Sequence, residues 1–409
     1  MPRALIDEKD ISALYQHPDL KKRRAVLRDT VNKLATESAR QAYHKKAAEN
    51  HLKWGAAHAH GMPQVRVIRG DWGDVTQALS KANGCVYAVL NMANAYSPGG
   101  GYLHGMVAQE ENMFRRTDCH FNIANDVMDG SQSHYTKEET DLINGVNGVV
   151  YLDVMNPRVC IKGCEAPGVS GYQDLDENDY FLFYELKSAA DDLRGGGHFN
   201  EASMRKKIRA QLDTLRINHV RSVVLSAFGC GAFGNPPALV ARLYREELDE
   251  RLGDFDDVVF AVYHAGYGTD NYLPFYDELN GLPLSAMQVD FKAAALKELL
   301  RTIQDNVNSK VWDERGVAYP FFDVRKTPKG IVQIRELLDS TMDDLAKLHQ
   351  LKALAKYRLE HPPLFTKRDD HVRDLYQNIL RLTFNELDDI IIDSFKLNDS
   401  PMREELSPR

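Results

Sequence analysis

Between residues 62 and 282, short and almost continuous apolar runs alternate with stretches of helical spacing. This rhythm limits the architecture more than any other feature of the chain. The runs are "QVRVIRG", "GCVYAVLNMAN", "VVYLDVM", "VRSVVLSAFG" and "FDDVVFAVYHAG". Between them lie helical candidates such as "EASMRKKIRAQLDTLRI" and "PPALVARLYREELDERL". A strand that is apolar on both faces must be covered on both, which predicts a mostly parallel sheet between two layers of helices. In such sheets a ligand sits beyond the carboxyl ends of the strands.

The flanks read differently. Residues 1–61 carry charge at helical spacing and predict an N-terminal helical extension. From 283 to 409 the apolar spacing settles near 3.6, as in "SAMQVDFKAAALKELLRTIQDNV" and "DDHVRDLYQNILRLTFNELDDIIIDSF", and predicts a C-terminal helical domain. The proline-bearing stretches "RGVAYPFFDVRKTP" and "EHPPLFTKRDD" read as linkers.

Composition excludes several classes of function. The net charge of −8 gives no general attraction to nucleic acid or to an anionic membrane. No apolar run is long enough to span a bilayer, and "MPRALIDEKDISALYQHPDL" has no signal-peptide core, so the expected location is the cytosol, of the producing cell or of a host. Five cysteines, an odd number in a long chain, point to free thiols and a reducing compartment. Cys160 and Cys164 in "CIKGC" lack the second pair of a closed zinc site, and His51, His58 and His60 lack ligand spacing, so no metal and no cofactor is expected.

The run "SAFGCGAFGN" contains Gly229, Gly231 and Gly234 at the spacing of a dinucleotide fingerprint. That reading needs an acidic residue ending the next strand, whereas Asp254, Asp256 and Asp257 precede theirs. What survives is a loop whose glycines let backbone N–H groups approach a diphosphate. Cys230 inside it reads as a packed loop residue, not a nucleophile, because no base accompanies it.

Upstream, "VLNMANAYSPGGGYLHGMVAQEENMFRRT" joins Gly99, Gly100 and Gly101 to Gln109, Glu110 and Glu111. Three consecutive glycines are costly to order and make sense where backbone wraps closely around a ligand. Adjacent glutamates on a helix point about 100° apart, so the two face different surroundings.

The two glycine loops, in this order and at strand ends, closely resemble those of the microbial poly(ADP-ribose) glycohydrolases, a catalytic branch of the macrodomain fold. The resemblance runs from about Val65 to Phe275. It implies a macrodomain-like three-layer α/β/α mixed sheet, with Glu111 as the catalytic carboxylate and Glu110 holding distal-ribose hydroxyls or orienting the loop. Asn94 would face the distal ribose. Gly99–Gly101 would line one side of the diphosphate, and Ser226, Gly229, Cys230, Gly231, Ala232 and Gly234 the other, with Phe233 packing on the distal ribose and Gln109 also among the ADP-ribose-binding residues. Asp71 would accept from the adenine amino group, with Asp74 as the second choice, and Tyr263 would lie on the adenine face. Arg115 and Arg116 are left between phosphate contact and pairing with an acid. The triple glycine Gly195–Gly197 has no Gln-Glu-Glu behind it and reads as an insertion loop, and the stretch from Asn156 up to it as an unusually long connection.

The expected activity is removal of ADP-ribose from a polymer or a modified protein, with the linkage open. The alternative is a module that reads ADP-ribose without cleaving it, although such a module has no need of Gln-Glu-Glu. The C-terminal helices are expected to recognise a protein target.

Overall fold

The computed structural model describes residues 3–55, 63–130, 133–165, 171–264, 266, 268–310, 312, 317–318, 325–361 and 370–381. His58 and His60 lie outside these residues, as does most of each proline-bearing stretch. The chain divides into two units, Met1–Leu284 and Ser285–Arg409.

The first unit is built on one sheet with strands β1 (Gln64–Arg69), β2 (Tyr87–Met92), β3 (Tyr151–Leu152), β4 (Arg158–Cys160), β5 (Phe181–Ser188), β6 (Ser222–Leu225) and β7 (Asp257–Val262). The spatial order is β1-β7-β6-β2-β5-β3, with β4 also on β5. The five strands from β1 to β5 in that order run parallel, while β3 and β4 add to β5 antiparallel. Successive residues of a strand point to opposite faces. In β7, Val258, Phe260 and Val262 therefore enter one core, and Val259 and Ala261 the other. The first core is covered by α6 (Glu201–Ile217), α7 (Pro237–Asp249) and α8 (Tyr272–Leu279). The second is covered by α3 (Trp72–Asn83) and α4 (Gln109–Arg116), with Ile143 of α5 (Lys137–Ile143) and Leu27 of α1 (Pro18–Lys33). The result is the three-layer mixed α/β/α arrangement expected from the apolar rhythm.

Two strands escaped the sequence reading, and the longer, β5, is the informative one. The stretch from Asn156 to Gly197, read as a connection, contains β4 and the eight-residue β5, which pairs directly with β2. Its signal is broken by Glu185 and Lys187, which are charged yet buried. Glu185 is tolerated because its carboxylate accepts from Arg158 Nε at 3.0 Å and from Asn91 Nδ2 at 2.8 Å. Conversely, "VVYLDVM" gives only the two-residue edge strand β3.

The N-terminal helices pack on this unit. Thr30 Oγ1 of α1 donates to the carbonyl of Arg115, and His51 of α2 (Glu37–Gly55) accepts at Nε2 from the amide of Leu182. Burial pushes the His51 imidazole down to about 4. The second unit holds helices α9 (Ala286–Val307), α10 (Lys329–Leu338), α11 (Asp344–Glu360) and α12 (Asp370–Arg381). Leu300, Ile303, Ile334, Leu348, Leu351 and Ile379 belong to its core, as the helical spacing predicts. No described helix is long and apolar enough to cross a membrane.

Candidate active site

Asp71 follows β1, Tyr263 follows β7, Ser226–Gly234 follow β6 and Asn94–Gly101 follow β2. These four strands are neighbours in that order, so the four groups stand in a row along the carboxyl edge of the sheet. With parallel strands about 4.8 Å apart, the row spans about 14 Å.

At the β2 end, the chain turns through Gly99 (φ 71°) and Gly100 (φ 56°), in the left-handed region that glycine alone enters at little cost. It then makes a short 3₁₀ turn, Tyr102–His104, and enters α4 at Gln109. Gln109 fastens the helix to the strand. Its Nε2 donates to the Leu90 carbonyl (2.7 Å) and its Oε1 accepts from the Met92 amide (2.9 Å), so its amide is spent on β2.

The next two residues part company. Glu110 turns inward and is 3% exposed. Its carboxylate accepts from the amides of Asn94 (2.8 Å) and Gly99 (3.1 Å), tying the start of the glycine loop to α4. Burial, reinforced by the neighbouring Glu111, pushes Glu110 well above the usual carboxylate range, against the Asn94 amide and the Lys187 ammonium. Glu111 is half-buried at the surface of the helix, and its Oε1 accepts from the Gly101 amide at 2.9 Å. The glycines are required sterically as well: a Cβ on Gly100 would stand 2.6 Å from Glu111 Oε1 and 3.1 Å from Glu110 Oε2.

Asn94 Oδ1 is engaged by the amides of Tyr96 (2.9 Å) and Ser97 (2.8 Å), which shapes the entry to the loop. The β6 loop is held similarly. Ser226 Oγ donates to the Ala261 carbonyl (2.8 Å), and Asn235 Nδ2 donates to the carbonyls of Asp191 (2.8 Å) and Gly229 (3.0 Å). Gly229 (φ 72°) sits against this Asn235 amide, so a Cβ there would meet Nδ2 at 2.6 Å. Asn235 lies just outside the candidate residues read from sequence, and only its contacts reveal it. Phe233 is half-buried, with the Arg194 guanidinium over its ring at 5.1 Å, while Gly231 and Ala232 at the tip are exposed. Cys230 is buried, and desolvation raises its thiol, so a thiolate nucleophile is disfavoured there.

At the β1 end, Asp71 caps α3 by accepting from the amides of Gly73 (2.8 Å) and Asp74 (3.4 Å), and it is ion-paired with Arg116. Arg116 is buried and also reaches Asp74 at 3.1 Å. Arg115 is buried as well, donating to Tyr172 (3.0 Å) and to the Met106 carbonyl (2.8 Å). Both arginines thus serve the framework. Tyr263 is 54% exposed at the end of β7. Gly195–Gly197 lie in an exposed turn with no Gln-Glu-Glu behind it, and no cluster able to hold a metal occurs among the described residues.

Residues 14–151 match the model of the microbial-type PARG catalytic domain, a glycohydrolase family; this stretch contains the first glycine loop and both glutamates. Among solved structures, the chain is similar to poly(ADP-ribose) glycohydrolase (PARG) from Thermomonospora curvata, with 22% identity and a TM-score of 0.44, over 63% of this chain and 100% of that one. It is also similar to the same enzyme bound to the inhibitor ADP-HPD (22% identity, TM-score 0.43, 62% and 98% covered). A PARG from Deinococcus radiodurans in complex with ADP-ribose gives 21% identity and a TM-score of 0.38, over 57% and 90%. No curated protein sequence matches the chain.

Proposed function

We propose that this chain, whose residues 14–151 match the microbial-type PARG catalytic domain, is an ADP-ribose glycohydrolase with Glu111 as its acid and base. The observation that carries the residue assignment is the division of labour on α4. Glu110 is shut inside by two backbone amides, whereas Glu111 is held by one and keeps its second oxygen for a substrate.

The reaction follows from that placement. Protonated Glu111 gives its proton to the departing oxygen as the bond from the distal ribose C1″ breaks. Its carboxylate then takes a proton from water as the water oxygen bonds to C1″, which returns the acid and releases ADP-ribose. Adenine lies toward Asp71 and Tyr263, the diphosphate between the two glycine loops, and the distal ribose by Asn94. Glu110 acts by orienting the loop. The amides of Gly99, Gly100 and Gly101 are spent on Glu110, the Ser97 carbonyl and Glu111, so this loop contributes a bare backbone surface against which the diphosphate packs. The C-terminal unit is assigned to recognition of a modified protein target.

The test compares the wild-type protein with Glu111→Gln on auto-modified, poly(ADP-ribosyl)ated protein and on mono-ADP-ribosylated serine and arginine proteins, following released ADP-ribose. Release by the wild type alone is the expected result. Binding of ADP-ribose without release from any of the three would instead make the protein a reader.

A further inference from the structure

The glycine loop is gripped from outside at both of its ends by the N-terminal segment. Arg3 Nη1 donates to the Pro98 carbonyl (3.0 Å), just before Gly99. Arg24 Nη1 donates to the His104 carbonyl (3.1 Å), just after the 3₁₀ turn. Between these two carbonyls lie the amides of Gly99 and Gly101, which position the carboxylates of Glu110 and Glu111. Gly105 (φ 81°) is in turn pressed so closely on the Leu20 carbonyl of α1 that a Cβ would collide with it.

The grip is itself locked. Arg24, 2% exposed, is bidentate to Glu8, with Nε to Oε1 at 2.9 Å and Nη2 to Oε2 at 2.7 Å, and it also donates to the Tyr15 carbonyl at 2.9 Å. Arg28 adds a third bond to Glu8 (2.8 Å) and one to the Ile6 carbonyl (2.7 Å). Hydrogen bonding to Arg24 and then Arg28 holds the Glu8 carboxyl down to about 2, against its partial burial, so the clasp stays charged throughout the working pH range. Leu5 and Ile6 pack against the core under the loop. A loop with three consecutive glycines has high conformational freedom, and a carboxylate held by its amides is only as well placed as the loop.

We propose that residues 3–13, clasped through Glu8 by Arg24, form a strap that sets the position of the Glu111 carboxylate. Arg24 and Arg3 are positioning residues and touch no substrate. Residues 3–13 precede the stretch that matches the PARG family model. The catalytic consequence rests on the function proposed above; the mechanical one does not.

The full-length protein is therefore tested in two ways, as wild type, Arg3→Ala, Arg24→Met and Arg24→Lys. Hydrogen exchange across 98–106 is expected to accelerate at least about tenfold in Arg3→Ala and Arg24→Met, while β6 and β7 keep their protection. Arg24→Lys, which retains the charge but not the planar fork, should recover only part of the protection. With ADP-ribosylated substrate, kcat should fall about 10- to 100-fold with KM changed by less than about threefold, the pattern of a misplaced catalytic group. Unchanged exchange over 98–106 in Arg3→Ala and Arg24→Met overturns the strap. A loosened loop with unchanged kcat overturns its catalytic role. Should Arg24→Met lose its fold, Arg3→Ala, which removes one hydrogen bond, decides alone. If the wild type hydrolyses nothing, the proposed function fails while the exchange data still decide the strap.

Discussion

Gly100→Ala offers the sharpest test of how the site is built, because the structure gives both of its costs separately. The first is conformational: at φ 56°, an alanine pays about 1–2 kcal/mol for the left-handed backbone. The second is steric and local to the chemistry. The new Cβ would lie 2.6 Å from Glu111 Oε1, so the carboxylate must retreat by roughly 0.8 Å to regain ordinary contact. That retreat also stretches its 2.9 Å bond from the Gly101 amide. A displacement near 1 Å costs a well-aligned catalytic group about 100-fold. The control is Gly196→Ala, at φ 97° in the other triple glycine, where a Cβ meets nothing within 4 Å. Both variants should lose about 2–4 °C in Tm per kcal/mol of backbone cost. Only Gly100→Ala should lose about 100-fold in release of ADP-ribose from modified protein. If Gly100→Ala kept kcat within twofold, or if Gly196→Ala were equally impaired, the placement of Glu111 by the glycine loop would be refuted.

Other expectations follow from the same contacts. Gln109→Ala strands the Leu90 carbonyl and the Met92 amide, so urea denaturation should show a loss of about 2–4 kcal/mol, with activity falling as α4 slips from β2. Arg158→Met leaves Glu185 buried beside the more distant Lys187 and should cost about 3–5 kcal/mol, whereas Arg158→Met with Glu185→Leu should recover much of it; equal losses would deny the pairing. Burial holds the imidazoles of His51 and His120 at about 4 in the folded protein, below their ordinary 6.5. The unfolded chain thus takes up protons first, so stability is full above pH 6.5 and falls toward pH 4, by up to about 3 kcal/mol for each ring. Denaturation at a series of pH values checks this, and His51→Gln should flatten the fall if the ring is its source.

Much of the first unit was written in local pattern. Four of the five parallel strands announce themselves as short apolar runs, because their covered faces are filled mainly by apolar side chains. The triple glycine and the Gln-Glu-Glu were equally visible, since both owe their identity to needs that no other residue meets. The strand β5 was hidden for the opposite reason. Glu185 and Lys187 look like surface residues until Arg158 and Asn91, distant in sequence, satisfy the first, and the Tyr151 ring and Glu185 itself meet the second. Arg116 likewise stands open between a phosphate and an acid until Asp71 and Asp74 are found against it.

The sequence by itself determined where the loops would fall and that two adjacent carboxylates would stand at one strand end. It also determined that these carboxylates must point in different directions, since neighbours on a helix diverge by about 100°. Which of them faces inward was decided only by the tertiary structure. Gln109 fixes the rotation of α4 against β2, and the amides of Asn94 and Gly99 then close over Glu110. The N-terminal strap was decided there too. Its value lies in carbonyls at Pro98 and His104 that any sequence could have supplied, and only folding brings Arg3 and Arg24 to them.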